Sequence, residues 1–380
     1  MDFPAQEWLA AALVSRSIPD LMSSKVKSRA LSQAETLDAN HLFRVAIVGG
    51  ATLKGKEVAE MLEARNFPFA DIKLLDDDES LGQLEAVGDE VTFIQKVRAD
   101  QFHRLDVTFF ASDPECTGKT WKIARDEGSA IVDLSFALED EPQAAVRSPW
   151  IERELRKPFM AELQPGPSVA AHPAAVVLAL LVLRAHKLVP LKRITATVFE
   201  PASEHGQKGL DELHEQTVNL LSFQQIPKSI FDTQVAFNLV ARYGEHSIST
   251  LAEVESRVLK HYRHIAGKDA PLPSLLLVQA PVFHGHVFAI HVDTDQIVDA
   301  EAIAQALAGD HVNLPRGAAN APSNVSVAGQ ADVQVSVIPD AGQARAFWLW
   351  AAADNLRIAA ATAVECAENI LVTRPRGKIQ

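Results

Sequence analysis

Apolar runs alternate with amphipathic stretches from Phe43 to Leu371. Phe43–Val48 is a Val/Ile-rich run without polar alternation, the pattern of a strand buried on both faces of a parallel sheet. Gly49 to Gly55 follows as a loop, and Lys56–Arg65 places Val58, Met61 and Leu62 on one helical face. Asn66–Pro68 and Asp71 break that helix before a second apolar run, Ile72–Leu75. Strand, glycine loop, helix and strand form a βαβ unit of the dinucleotide-binding kind.

Val91–Ile94, Val107–Ala111 and Ile131–Leu134 predict further strands of the same sheet, with a helix over Lys119–Asp126. Pro165, Gly166 and Pro167 mark a boundary. Beyond it the pattern predicts an apolar helix, Ala174–Leu183, a strand, Ile194–Phe199, and a polar helix, Leu210–Leu221. Val235–Val240, Leu275–Val278, His286–Val292, Val333–Val337 and Ala346–Ala352 read as strands, Ala318–Ala328 as a loop, and Asp354–Leu371 as a final amphipathic helix. The expected class is α/β: a Rossmann-type dinucleotide-binding domain over 43–170 with 354–380, plus an α+β mixed-sheet domain over 171–353. Residues 1–42 form an extension, partly helical at Trp8–Val14 and Ser23–Asn40, that packs on the body or on a partner.

The glycine loop departs from its pattern in one place. Gly49 and Gly55 suit the tight turn and the helix–strand contact, but Thr52 stands where a middle glycine lets backbone approach a pyrophosphate. Asp76, Asp77, Asp78 and Glu79 follow about 20 residues later, where an acid accepts a bond from a ribose 2′-hydroxyl and repels a 2′-phosphate. The expected cofactor is therefore NAD(H), held weakly, with NADP(H) disfavoured. The plainer alternative is a Rossmann-like unit kept for its fold, its acidic run a solvated turn.

Length and charge narrow the partners. The 380 residues provide for two domains, and a formal net charge of −13 argues against nucleic acid or an anionic membrane surface. Two cysteines, Cys116 and Cys366, make neither a disulfide framework nor a zinc pattern and suit a reducing cytoplasm. The N-terminus lacks the basic region of a signal peptide, and Ala174–Leu183 is too short to span a bilayer. Leu275–Val278 and His286–Val292 offer more apolar face than one flanking helix covers, which predicts a homodimer through the second domain.

Four stretches together resemble the aspartate-semialdehyde dehydrogenases: VAIVGGATLKGKEV from Val45, SEHGQKGLDELHEQT from Ser203, QAPVFHGH at 279–286 and DNLRIAAATAV at 354–364. The resemblance runs from about Phe43 to Leu371. It implies a Rossmann domain to which the C-terminal helix returns, a mixed-sheet domain that makes the homodimer, and reduction of an acyl phosphate with NADPH through a cysteine thiohemiacetal and thioester.

That chemistry needs a thiolate at a helix N-terminus. Where the family has N-P-x-C, this chain reads His172-Pro173-Ala174-Ala175, with Ala175 in the cysteine position. On the same resemblance, Glu200 replaces the assisting glutamine and Gln279 the substrate-clamping arginine. Ala137 or Glu139 stands for the phosphate-binding arginine after Asp133, and Ala363 for an asparagine of the last helix. His286 matches the acid/base histidine. Such departures resemble the catalytically degenerate Usg-type branch of the family.

Other residues have competing readings. Cys116 lies near a helix start, where a thiol pKa can fall, or is an inert thiol; Cys366 reads as core. His284 and His286 share a strand face, a spacing that suits a metal, but His286 as a vestigial pocket residue is preferred and no metal is expected. His261 and His264 read as a solvated helix face, and Ser203 as an N-cap. Two functions stay open: a non-catalytic or regulatory dimer that binds NAD, a small molecule or a partner protein, and an NAD(P)-dependent oxidoreductase without covalent catalysis that uses His286 as acid/base.

Overall fold

The computed structural model describes residues 42–76, 82, 84–87, 90–157, 166–315, 317 and 321–373. The helical stretches expected at Trp8–Val14 and Ser23–Asn40 lie outside them, as do Asp77–Glu79. In chain order the first half runs β1 Phe43–Val48, α1 Leu53–Ala64, β2 Phe69–Asp76, β3 Leu84–Val87, β4 Glu90–Phe93, β5 Gln95–Lys96 and β6 Val107–Phe110. It continues with α2 Pro114–Asp126, β7 Ala130–Asp133, β8 Ala145–Arg147, α3 Pro149–Glu154 and β9 Ser168–Ala170. The second half runs α4 Pro173–Leu188, β10 Leu191–Glu200, α5 Gly206–Leu221, α6 Leu251–Ala266, β11 Ser274–Gln279 and β12 His286–Thr294. It ends with α7 Ala300–Leu307, β13 Val312–Asn313, β14 Val333–Pro339, β15 Ala346–Ala353 and α8 Asn355–Thr373.

β1 is buried at five of six positions and pairs in parallel with β2 on one side and β6 on the other, which explains its lack of alternation. The seven-stranded sheet has the order β5-β2-β1-β6-β7-β9-β8 and all its pairings are parallel. The second sheet, β11-β10-β12-β15-β14-β13, is mixed. This is the expected α/β class: a Rossmann-like domain and a mixed-sheet domain. α4 is buried throughout Pro173–Ala185, hence its uninterrupted apolar run. α8 returns to the first half, where Arg357 meets Glu57 at 2.7 Å and Arg65 meets Glu368 at 2.7 Å.

Several local expectations change. The strand expected at Val91–Ile94 forms as β4, but in a separate antiparallel ribbon with β3 rather than in the large sheet. Val235–Val240 is not a strand: Phe237 has φ 57°, which interrupts extended backbone, and only Val240 bridges to Gln279. α6 extends well beyond the helix face expected at His261 and His264, and α7 has no counterpart in the sequence pattern. α6 carries a capping box, with Thr250 accepting from the Glu253 N–H and Glu253 accepting from the Thr250 N–H.

Candidate active site

A cleft of about 620 Å³ separates two walls. Thr52, Lys54, Asp76 and Ser112 stand on one side, and Glu200, Glu204, His205 and Arg257 on the other. The first wall is the β1–α1 turn. Gly49 has φ +85° and a Cβ there would strike the backbone of Ser112; one on Gly55 would strike the Gly49 carbonyl. Both glycines are therefore required by the turn itself. Thr52 is the N-cap of α1. Its Oγ1 accepts from the Gly55 N–H at 3.0 Å and lies 2.8 Å from the Gly49 carbonyl and 3.0 Å from that of Ala111. The hydroxyl is thus folded back into the loop. Asp76 ends β2 and accepts the Ala51 N–H at 2.8 Å.

Glu204 is the anionic centre of the second wall. Its Oε1 accepts from Asn355 Nδ2 at 2.9 Å and lies 3.6 Å from His286 Nε2, while Oε2 lies 3.8 Å from His172 Nε2. Burial alone would raise its pKa, but His172, His286, Lys54 and the Asn355 bond outweigh it and hold the carboxyl at about 2. Glu200, fully buried, goes the other way: burial and the Glu204 charge push it well above the carboxylate range. Burial also lowers His172 to about 3 and His205 to about 4, against the attraction of Glu204.

His172 caps α4, accepting the Ala174 N–H on Nδ1 at 3.2 Å, and Pro173 follows where no N–H is needed. Its own backbone N–H donates to His261 Nδ1 at 2.9 Å, so the His261 proton sits on Nε2 and is directed to Glu139 at 2.8 Å. His261 is therefore buried, contrary to the solvated face expected; His264 is exposed.

The sequence-predicted residues separate into groups. Ala175 lies fully buried in the first turn of α4. His286 opens β12 with both ring nitrogens buried and without hydrogen-bond partners, and both carboxyl oxygens of Glu200 are in the same state. Gln279 is fully used internally: Nε2 donates to the Glu200 and Ala280 carbonyls and Oε1 accepts from Tyr243, which also bonds His205. His284 precedes β12 and is separated from it by Gly285 at φ +85°, so the shared strand face expected for His284 and His286 does not form. Ser203 is not the N-cap of α5; it lies in a 3-10 turn and bonds Asn355. Burial raises rather than lowers the Cys116 thiol.

Sequence reasoning did not single out Lys54, His172 or Asn355 as site residues, and it set Glu204 aside with Ser203 and His205 as adjacent residues on a turn. Asn355 was legible as the first residue of the last helix, after the capping Asp354, whereas Ala363 is buried in the core. Among the described residues no group of three potential ligands is placed to hold a metal ion.

The family description "Semialdehyde dehydrogenase, NAD binding domain" matches residues 44–158, and "Semialdehyde dehydrogenase, dimerisation domain" matches 180–358. An aspartate-semialdehyde dehydrogenase of Rickettsia bellii is 28% identical over 339 residues, 87% of this chain and 98% of the relative. A USG-1 protein homolog of Pseudomonas aeruginosa is 29% identical over 324 residues, 84% of this chain and 94% of the relative. The crystal structure of aspartate semialdehyde dehydrogenase II from Vibrio cholerae, complexed with ASA, matches with a TM-score of 0.77 and 25% identity, over 87% of this chain and 98% of that one.

Proposed function

We propose that this chain, which belongs to the semialdehyde dehydrogenase family, is a ligand-binding dimer of the USG-1 kind that has lost the thiol-based reaction and serves a non-catalytic or regulatory role. One observation carries the reading: Ala175 occupies the first turn of α4, and neither Cys116 on α2 nor the fully buried Cys366 on α8 lines the cleft. A methyl group cannot attack a carbonyl, so no thiohemiacetal or thioester can form there. Purified protein given aspartate semialdehyde, phosphate and NAD⁺ or NADP⁺ should reduce neither cofactor above background. Turnover abolished by changing one residue of the cleft would overturn the proposal.

The turn fits a dinucleotide. Gly49 and Gly55 hold it tight, and Thr52 caps α1 from inside the loop. Gly49, Thr52, Gly55 and Asp76 would frame the bound cofactor, with Asp77 outside the described residues. Asp76 argues for NAD⁺ over NADP⁺. Two unit charges about 4 Å apart at an effective dielectric near 20 interact by about 4 kcal/mol before screening. Calorimetric titration should find NAD⁺ at least about tenfold tighter than NADP⁺; the reverse order would refute the assignment.

His286 favours a second reading, an oxidoreductase without covalent catalysis. His286 does not itself line the cleft, but its buried imidazole lies 3.6 Å from the ionised Glu204, which does, so a proton would pass to or from a bound carbonyl compound by way of that carboxylate. A bound nicotinamide would supply the hydride chemistry. Failure of NAD(H) to bind would eliminate this reading.

The dimer is assigned to the outer face of the mixed sheet. Leu276, Thr197, Ala289 and Trp350 share one row across it, and Thr195, His291, Trp348 and Ile338 the next. Leu276, Trp348 and Ile338 are 48%, 40% and 48% exposed, an apolar face suited to a second copy. Light scattering should give twice the 41.3 kDa chain mass, and Trp348→Arg should shift it toward the monomer. A monomeric native protein at micromolar concentration would reject this interface.

A further inference from the structure

We infer that Lys54 and Arg257 form an oxyanion-binding site, a seat for a carboxylate or phosphate group of the molecule that occupies the cleft. The inference rests on the reading of the cleft as a ligand site and assigns the charge of what enters it.

Lys54 projects from the first turn of α1 into the cleft wall, where its Nζ donates to the Leu134 carbonyl at 3.2 Å. Among the described residues that carbonyl is its one hydrogen-bond acceptor, and no carboxylate lies within 4.0 Å of the ammonium. Such a group normally finds an anion or returns to water, because a partly desolvated charge without a close partner is costly. Glu204 and Asp133 attract it from farther away, and burial works against its charge. The ammonium carries three N–H donors and, among the described residues, meets one acceptor, so donor capacity is left for a ligand in the cleft that Lys54 lines.

Arg257 supplies the second cation from a different element, α6. Its Nε donates to Glu139 at 3.3 Å, which leaves the terminal guanidinium nitrogens for a ligand. Lys54 Nζ lies 4.7 Å and Arg257 Cζ 5.3 Å from the centroid of the same Phe136 ring, and all three residues line the cleft, so the two cations share one aromatic neighbour there. Phe136 is held at φ 65° and stacks on His172, which keeps its ring at that end. Glu139 is already engaged by Arg257, Lys260 and His261 and does not neutralise Lys54.

The oxyanion can come from a dinucleotide, whose pyrophosphate passes the N-terminus of α1, or from a separate small acid. The test uses the full-length dimer and three probes: inorganic phosphate, malonate and NAD⁺, titrated singly and in competition. Wild-type protein is expected to bind at least one of them. Lys54→Met should weaken that binding by at least about 30-fold, the loss typical of truncating one partner of a buried charge pair. Lys54→Arg, which keeps the charge, should retain most of it and confirms that the loss is not misfolding. Competition between NAD⁺ and the small anion assigns the oxyanion to the pyrophosphate, and independent binding assigns it to a separate acid; either result supports the site. Binding that is undiminished in Lys54→Met overturns the inference and leaves the ligand-site reading intact. Failure of all three probes to bind wild-type protein overturns the oxyanion site, and failure of NAD⁺ among them also refutes dinucleotide binding.

Discussion

Glu204→Gln is expected to destabilise the protein by about 3 kcal/mol, the scale of removing one charge from a buried, compensated set. Glutamine is isosteric and can still accept the bond from Asn355 Nδ2, so packing and that hydrogen bond remain. What disappears is the negative charge that faces His172, His286 and Lys54. Lys54 then loses its strongest attraction in a site where burial already opposes its charge, and its pKa should fall further. Denaturant unfolding of the single variants and of Glu204→Gln/Lys54→Met measures the coupling, expected at about 1–3 kcal/mol. A fully stable Glu204→Gln protein, or additive losses in the double variant, would show that Glu204 is not the electrostatic centre of the site.

Acid should unfold the protein steeply below about pH 4.5. Six described histidines, His172, His205, His261, His284, His286 and His311, have pKa values lowered by burial from the ordinary 6.5. For such a group the unfolded chain takes up a proton below pH 6.5 that the folded chain refuses, so stability falls as pH drops toward the folded value. Each tenfold difference in proton affinity is worth about 1.4 kcal/mol. Three acids act oppositely: Glu57, raised to about 7, together with Glu200 and Asp133, keep protons in the folded state that the unfolded chain releases. Between pH 6.5 and 4.5 the two sets partly cancel. Below 4.5 the unfolded chain also protonates Glu204 and Glu139, both held at about 2 when folded, and the losses add. Thermal midpoints from pH 8 to 3 should decline gently and then drop by an amount equivalent to several kcal/mol. His205→Gln should flatten the curve above pH 4, where the folded wild-type residue is neutral. A midpoint independent of pH between 6 and 3.5 would contradict this account.

The positions that the sequence determined are those whose environment is set by neighbours along the chain. β1, the Gly49–Gly55 turn, α1 and β2 were legible because a parallel strand buried on both faces needs a continuous apolar run and the turn needs glycine at Gly49. That Ala175 carries no sulfur was equally plain, since side-chain chemistry does not depend on packing. α6 was legible in principle through Thr250 and Glu253, its capping pair. The ribbon of β3 and β4 was not, because an apolar tetrapeptide does not state which strand it will pair with. The charged centre was least legible of all. Lys54 comes from α1, His172 from the start of α4, Glu204 from a 3-10 turn, His286 from β12 and Asn355 from α8, with up to 301 positions separating Lys54 from Asn355. Taken singly these are ordinary polar residues. Their desolvation and mutual field exist only when the tertiary fold gathers them at one cleft, because electrostatic energy depends on distance through space and on excluded water, neither of which periodicity along the chain records.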